Sequence, residues 1–210
     1  MISKEELIKF VGTRSWYQTI QFEEDVRSKG YDWCGEPAWR NIKTFLPESL
    51  EDMRVLDLGC NAGLFCVEMA LLGAKEVIGV DYSGWRPNWD FAEQREFVTA
   101  YFEQKYNRKL PITYITGMME DVLEKQDIGK FDYVLAIASI YYSTRQDSVV
   151  KRLYDIANKV IVRVRDDDRI AVVKKLFGKY NFKETKILQE KWWEKLHKQT
   201  DDFYLFLFEK

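Results

Sequence analysis

A glycine-containing turn directly after an apolar run is the first place in this 210-residue sequence where residue types and spacing suggest chemistry. Val55–Leu58 predicts a strand, and the turn after it reads Gly59-Cys60-Asn61-Ala62-Gly63. Glycine in such a turn lets the backbone approach a ligand closely, and open α/β folds bind ligands at this sheet edge. Asn61 stands where a dinucleotide-binding turn has its middle glycine, and the Gly-Lys-Ser/Thr ending of a P-loop is absent. We therefore expect a closely fitting ligand without the usual phosphate cradle.

Two acidic positions follow at the ends of the next two predicted strands. Asp81 ends the run Val77–Val80, and a carboxylate there can accept two hydrogen bonds from a ribose diol. Glu120 follows the third run, where a carboxylate and a backbone amide can read an adenine edge. Each position also has a structural explanation, because Asp81 or Glu120 could stabilise a helix N-terminus and Gly63 could serve helix–sheet packing. In this order, the three positions predict one site for a ligand with ribose and adenine.

The elements that must position these residues follow a regular pattern from Arg54 onward. Short apolar runs alternate with amphipathic segments, which is typical of a parallel sheet covered by helices and predicts the α/β class. Two strands in succession at the end predict an antiparallel strand at one sheet edge. The predicted strands are Val55–Leu58, Val77–Val80, Ile112–Ile115, Tyr133–Ile137, Val160–Val164, Lys183–Leu188 and Phe203–Leu207. The predicted helices are a short N-terminal helix capped by Ser3 and Glu6, Leu64–Leu72, Asn88–Asn107, Asp147–Ala157 and Ile170–Tyr180.

Composition limits the kinds of function. With 46% hydrophobic residues the chain can bury one sizeable core, which predicts one domain. The 32 basic and 34 acidic residues leave a net charge of -2, which gives no electrostatic reason to expect nucleic acid. Three cysteines without a CxxC pair predict no metal site and fit a reducing, cytoplasmic location. The sequence predicts no membrane span, because no apolar run approaches about 20 residues, and it leaves the oligomeric state open.

The motifs resemble those of the class I S-adenosylmethionine (SAM)-dependent methyltransferases. Val55–Gly63 is similar to their motif I, Val80-Asp81 to the acidic end of motif II, Met119-Glu120 to their adenine-contacting position and Phe131–Val134 to the start of their fourth strand. The resemblance implies SAM as the cofactor and a Rossmann-like, doubly wound sheet of seven mostly parallel strands, with an antiparallel last strand and helices on both faces. The cofactor-binding residues that it implies are Asp57, Gly59, Cys60, Asn61, Gly63, Asp81, Tyr82, Met119, Glu120 and Ala136.

A narrower similarity reaches the N-terminal segment. Trp16–Ile20, Trp39-Arg40 and Ile140–Tyr142 are similar to elements of the group that includes the tRNA wobble-uridine carboxymethyltransferases, which usually has Tyr-His where this chain has Tyr141-Tyr142. We expect residues 1–50 to form a helical or lid segment packed on a methyltransferase domain of residues 51–210. Simple packing explains the aromatic residues of this segment as well. The predicted substrate or lid residues are Trp16, Tyr17, Trp39, Arg40, Trp85 and Arg86.

Methyl transfer from a sulfonium is an in-line displacement, so holding the acceptor near the methyl group can supply much of the catalysis. The fourth strand carries Ser139 and the predicted catalytic residues, Tyr141 and Tyr142, towards that place. A tyrosine with a pKa of about 10 is a poor base at neutral pH, which favours positioning over proton abstraction. We predict a small-molecule or carrier-borne acceptor. The alternatives are methyl or carboxymethyl transfer to tRNA or other RNA, which is possible but not favoured, and a non-catalytic SAM-binding subunit.

Overall fold

The computed structural model describes residues 1–82, 91–165, 167–194 and 199–210. These residues form a two-stranded hairpin and a seven-stranded sheet. The hairpin strands are β1 (Gln21–Glu23) and β2 (Val26–Arg27), and the sheet strands are β3 (Arg54–Leu58), β4 (Glu76–Asp81), β5 (Ile112–Thr116), β6 (Phe131–Ile137), β7 (Ala157–Arg165), β8 (Lys183–Glu194) and β9 (Gln199–Glu209). The sheet order is β5-β4-β3-β6-β7-β9-β8, with β3 to β7 parallel and β9 antiparallel to both neighbours. The predicted sheet, including its reversed last strand, is confirmed.

Helices in the described ranges cover both faces of this sheet. They are α1 (Lys4–Thr13), α2 (Glu36–Lys43), α3 (Leu64–Leu71), α4 (Phe91–Tyr106), α5 (Met119–Lys125), α6 (Gln146–Ile156) and α7 (Asp167–Lys179). Buried residues of α1 to α4 form one apolar cluster, and buried residues of α5, α6 and α7 form another. The first helix begins at the predicted capping box, in which Ser3 Oγ accepts from the Glu6 backbone N–H and Glu6 accepts from the Ser3 N–H. The two clusters confirm the doubly wound arrangement.

Several elements go beyond the sequence prediction. The hairpin, α2 and α5 were not predicted, because strands of two or three residues and helices of seven or eight residues give little periodic signal. The predicted strand Lys183–Leu188 continues to Glu194 and pairs there with Gln199. This extension is mostly polar, so an apolar run could not reveal it.

The N-terminal segment shares its core with the helices that follow it. Phe10 stacks on Phe97 of α4 with 3.6 Å between ring centroids. Phe22 packs edge-on against Tyr101 of α4, with ring centroids 5.2 Å apart, and Trp16 packs on Phe22 at 5.8 Å. These contacts place buried aromatic residues of the N-terminal segment in the apolar cluster on one face of the sheet.

β7 carries a fully buried cation on the face that the N-terminal segment covers. Arg163 is 0% exposed, and its Nε donates to Oε2 of Glu190 in β8 at 2.6 Å. The guanidinium also donates to the carbonyl oxygen of Trp33, and Asn41 of α2 donates to Oε1 of Glu190 at 2.6 Å. Burial lowers the pKa of Arg163, and the Glu190 carboxylate opposes that shift. The pair therefore ties two points of the N-terminal segment to the sheet.

β8 forms one edge of the sheet within the described part of the chain. Its N-terminal half is exposed and carries Lys183, Glu184 and Lys186, which precede the half-exposed Ile187. Lys191 follows farther along the same strand and is exposed. Charged side chains thus flank the exposed apolar residue of this edge strand.

We predict that Glu190→Ala lowers the free energy of unfolding by about 3–5 kcal/mol, because the substitution leaves a buried guanidinium without its counter-ion. The double variant Arg163→Met with Glu190→Leu should lose less, since it removes both charges from the interior. Urea denaturation of the wild type and of both variants measures the difference. A loss below about 1 kcal/mol for Glu190→Ala, typical of an exposed ion pair, would contradict this role.

Candidate functional site

A cavity of about 230 Å³ opens at the carboxyl ends of β3, β4 and β6. Strand ends, the start of α5, the N-terminal segment and the connection between β6 and α6 all contribute to its wall. Parallel strands gather their carboxyl ends at one edge, which explains why residues distant in sequence meet there. The predicted cofactor residues that line the cavity are Gly59, Asn61, Asp81, Tyr82, Met119 and Glu120.

The turn after β3 reaches the cavity through residues in the left-handed region. Gly59 has a φ of +86°, and a Cβ at this position would lie 2.6 Å from Cβ of Ser139, so both conformation and space require glycine. Asn61 has a φ of +54°, and its backbone N–H donates to Oδ2 of Asp81 at 2.7 Å. This hydrogen bond fixes the turn to the end of β4, and Asn61 and Asp81 both line the cavity.

Asp81 and Glu120 place two carboxylates in the cavity wall, and they are only 7% and 3% exposed. Oε1 of Glu120 accepts from the hydroxyl of Thr144 at 3.2 Å, whereas Oε2 is buried without a hydrogen-bond partner among the described residues. A buried carboxylate oxygen without a donor is costly. The wall therefore favours a ligand that donates N–H or O–H groups. A ligand with an adenine amine and a ribose diol fits this donor requirement.

Four of the implied cofactor residues lie beneath the site and do not line the cavity. Asp57, Cys60 and Ala136 are 0% exposed. Gly63 has a φ of +84°, and a Cβ there would collide with Oη of Tyr114. Gly63 therefore serves the packing of α3 on the sheet, which is the structural explanation that the sequence left open.

Asp57 is a buried carboxylate below the glycine turn. Sγ of Cys66 donates to its Oδ2 at 3.5 Å, and Oδ1 has no hydrogen-bond partner among the described residues. Burial raises the pKa of Asp57 to about 7, the hydrogen bond from Cys66 opposes the rise, and the nearby Asp81 carboxylate adds to it. Asp57 therefore does not line the cavity, and its burial favours the protonated carboxyl below about pH 7.

The two predicted catalytic tyrosines have different environments in the structure. Both lie in a 3₁₀ turn, Ile140–Tyr142, after β6. Tyr142 lines the cavity and is 51% exposed, whereas Tyr141 does not line it. The ring of Tyr141 lies 4.7 Å from the Tyr142 ring and 4.1 Å from the guanidinium carbon of Arg169. Tyr141 therefore contacts the Tyr142 ring without lining the cavity.

The predicted substrate or lid residues also have different environments. Tyr17 lines the cavity. Trp16 and Trp39 are buried in the core, where they pack on other aromatic rings, and Arg40 is exposed on α2 beside Glu36. The lid role is therefore not supported for Trp16, Trp39 and Arg40, whose side chains serve packing or face solvent. Trp85 and Arg86 lie outside the described residues.

The cavity also contains residues that the sequence did not single out, among them Gln18, Cys34, Ala138 and Ser143. Gln18 lies inside Trp16–Ile20, which marked the right segment. Ala138 has a φ of +53°, and left-handed non-glycine residues of this kind cluster at functional sites. Its alanine side chain gives no sequence signal for that conformation.

The described residues contain no group of three or more histidine, cysteine or acidic side chains that could hold a metal ion. Among the helices in the described ranges, none has the length and apolar character needed to cross a bilayer.

Residues 24–199 match a family model described as a methyltransferase domain. Among curated proteins, the tRNA U34 carboxymethyltransferase of Pseudomonas aeruginosa (strain LESB58) is 32% identical over 111 residues. That match covers 53% of this chain and 30% of the relative, so the chain spans less than a third of the relative's length.

Solved structures share the fold. The N-terminal domain of EvdMO1, solved with SAH and D-fucose, superposes with a TM-score of 0.66 and 14% identity, over 100% of this chain and 97% of that one. The precorrin-6y C5,15-methyltransferase of Geobacter metallireducens gives a TM-score of 0.64 and 10% identity, over 84% and 89% of the two chains. At these identities the likeness concerns the fold alone.

We predict that Asp57→Asn flattens the pH dependence of stability. The unfolded carboxyl ionises near its ordinary pKa of 3.8, whereas the folded one stays protonated until about pH 7. Ionisation therefore favours the unfolded chain as the pH rises from about 4 to 7, and wild-type stability falls across that window. Denaturant unfolding at half-unit pH steps measures the slope.

Glu68→Gln is the matched comparison, because burial also raises the pKa of Glu68 to about 7. Each single variant should lose part of the wild-type slope, and the double variant should lose more. A wild-type slope that Asp57→Asn leaves unchanged would show that Asp57 is ionised in the folded protein.

Proposed function

Because this chain belongs to the methyltransferase-domain family, in the class I group that uses SAM, we propose that it transfers a methyl group to a small molecule or to a group presented by a larger carrier. One observation carries the proposal. A single cavity combines the two carboxylates of Asp81 and Glu120 with a second wall that Tyr17, Ser139 and Tyr142 contribute.

The chain's own residues suit the cofactor. Asp81 would accept from the ribose hydroxyls, and Oε2 of Glu120 would accept from the amine of adenine. Gly59 and Asn61 bring the backbone of the turn to the same cavity. SAM, when bound, supplies an electrophilic methyl group on a sulfonium. These four positions would hold the cofactor at the edge of the sheet.

The second wall favours catalysis by positioning. Burial raises the pKa of Tyr17 well above the ordinary tyrosine value, and burial likewise raises that of the Cys34 thiol. Neither group can therefore act as a base near neutral pH. Ser139 and Tyr142 would orient the acceptor, and Tyr141 would hold the Tyr142 ring in place through their ring contact. Orientation of the acceptor is sufficient for a displacement whose nucleophile already carries a lone pair.

The N-terminal segment supports a small acceptor. Tyr17, Gln18 and Cys34 come from this segment and form part of the cavity wall. The buried pair of Arg163 and Glu190 holds the segment through its hydrogen bonds to Trp33 and Asn41. A wall tied to the sheet in this way encloses an acceptor the size of a small molecule more readily than a folded polynucleotide.

RNA modification is a second candidate function, and the similarity to the tRNA U34 carboxymethyltransferase favours it. An enzyme of this kind would transfer a methyl or carboxymethyl group to RNA. Its binding to tRNA would weaken steeply with salt, because phosphate contacts release counter-ions. Filter binding of tRNA at 50 and 200 mM salt tests this candidate, and the net charge of -2 argues against strong binding.

We predict that the protein binds SAM and its demethylated product in calorimetric titration, and that Asp81→Ala weakens both affinities by about 10- to 100-fold. Loss of charge-assisted hydrogen bonds accounts for this range. Asp25→Ala removes an exposed carboxylate that pairs with Lys4, so it serves as the matched control with unchanged affinity. Absence of binding to a folded wild type would refute the proposed function. Binding without turnover of any acceptor would favour a non-catalytic SAM-binding subunit.

We also predict that Glu120→Gln weakens SAM binding by about tenfold, because an amide replaces the carboxylate that would accept from the adenine amine. Asp121→Asn is the control on the same helix, since Asp121 is partly exposed, pairs with Arg145 and does not line the cavity. Equal effects of the two substitutions would contradict a direct role for Glu120.

A further inference from the structure

The strand order divides the cavity into two halves of different chemistry. Asp81 and Glu120 come from β4 and α5, on the side of the sheet where β5, β4 and β3 lie. Ser139 and Tyr142 follow β6 on the other side, and the N-terminal segment adds Tyr17 there. We call the first group the cofactor half and the second group, together with Cys34, the acceptor half.

The acceptor half is electrically neutral in the described part of the chain. Its side chains are hydroxyls, a thiol and aromatic rings, whereas the acidic residues of the described lining belong to the cofactor half. Sγ of Cys34 lies 3.1 Å from the carbonyl oxygen of Tyr17, to which it donates, and burial keeps the thiol protonated by raising its pKa. A charged acceptor would have to leave water without gaining a counter-ion from this wall. The half therefore favours an uncharged acceptor.

Two aromatic rings line the acceptor half. Tyr17 packs edge-on against Tyr31 and Trp33, with ring centroids 5.4 and 5.5 Å apart and interplanar angles of 71° and 86°. Trp33 in turn stacks on Phe203 of β9 at 5.2 Å, which anchors this side to the sheet. Tyr142 also lines the cavity and is half-exposed. Rings arranged in this way favour a flat, aromatic guest, because aromatic pairs gain energy beyond the burial of their area.

Ser139 adds a polar group that lacks a partner. The residue is 5% exposed, and its Oγ makes no hydrogen bond to any described residue. Ala138 holds the backbone before it in a left-handed conformation, and the N–H of Ala138 donates to the carbonyl oxygen of Arg163 at 2.9 Å. A buried hydroxyl without a partner is costly. Its position in the cavity wall therefore indicates a ligand atom that hydrogen-bonds to it.

We propose that the acceptor is an uncharged, planar aromatic small molecule, with its ring against Tyr17 and Tyr142 and its nucleophilic heteroatom beside Oγ of Ser139. This inference rests on the proposed function and names the substrate class of the same site. The lone pair of the heteroatom forms the bond to the methyl carbon, while the carbon–sulfur bond breaks and its electron pair stays on sulfur. The heteroatom becomes positively charged and releases any proton that it carries to water.

A matched acceptor panel tests the class of substrate. Anilines, phenols, imidazoles and quinolines are compared with their saturated-ring counterparts, at pH 7 and 9 so that unprotonated aliphatic amines are sampled too. Formation of the demethylated cofactor is the readout, and SAM binding is measured in parallel. We expect turnover with aromatic members alone. Turnover confined to saturated acceptors, or to tRNA, would overturn this inference and keep the methyltransferase, whereas failure to bind SAM would overturn the proposed function itself.

Variants test the positions with the best aromatic acceptor. Tyr142→Leu and Ser139→Ala should each raise the acceptor KM by roughly 3- to 10-fold, with little change in SAM affinity. Tyr142→Phe keeps the ring and should raise the KM less than Tyr142→Leu does. Tyr106→Leu and Ser148→Ala are the matched controls, because Tyr106 is 50% exposed and Ser148 is exposed, and neither lines the cavity. An unchanged KM in both Tyr142→Leu and Ser139→Ala would overturn the assignment.

Discussion

The buried ion pair between Arg163 and Glu190 is the interaction on which the acceptor side of the cavity depends. Two charges in an apolar interior are costly unless hydrogen bonds satisfy them. Here the Trp33 carbonyl and the Asn41 amide supply those bonds, and both belong to the N-terminal segment. Cys34, which follows Trp33 in the chain, lines the cavity. The hydrogen bonds that the buried Arg163 on β7 requires therefore fix the position of the cavity wall that contains Cys34.

The division of the cavity follows from the order of its strands. Parallel strands deliver their carboxyl ends to one edge, and the chain places acidic residues after β4 and β5 but hydroxyl and aromatic residues after β6. One half can therefore bind a ligand by accepting hydrogen bonds, and the other by stacking. Catalysis in such a site depends on how the two ligands are held relative to one another, which is the contribution expected of a displacement reaction.

The sheet, and the residues that line the cavity at the ends of β3 and β4 and at the start of α5, could be predicted from sequence because both depend on local patterns. Apolar runs mark the strands, and the glycine turn with Asp81 and Glu120 occupies fixed places at their ends. The acceptor half could not be predicted in the same way. Tyr141 and Tyr142 are adjacent in sequence and share a 3₁₀ turn, yet Tyr142 lines the cavity and Tyr141 does not. Trp16 is buried in the core whereas its neighbour Tyr17 lines the cavity, since tertiary packing decides which aromatic residue faces which way.

The edge strand β8 has a consequence for how copies of this protein behave at high concentration. An open strand edge offers unpaired backbone groups, and a neighbouring chain can add to it as the next strand of a growing aggregate. Lys183, Glu184 and Lys186 precede the exposed Ile187, and Lys191 lies beyond it. Bringing two such edges together would strip water from these charged side chains. Residues far from the cavity thus make fibril growth from this edge unfavourable, and replacing these lysines with apolar residues would remove that protection.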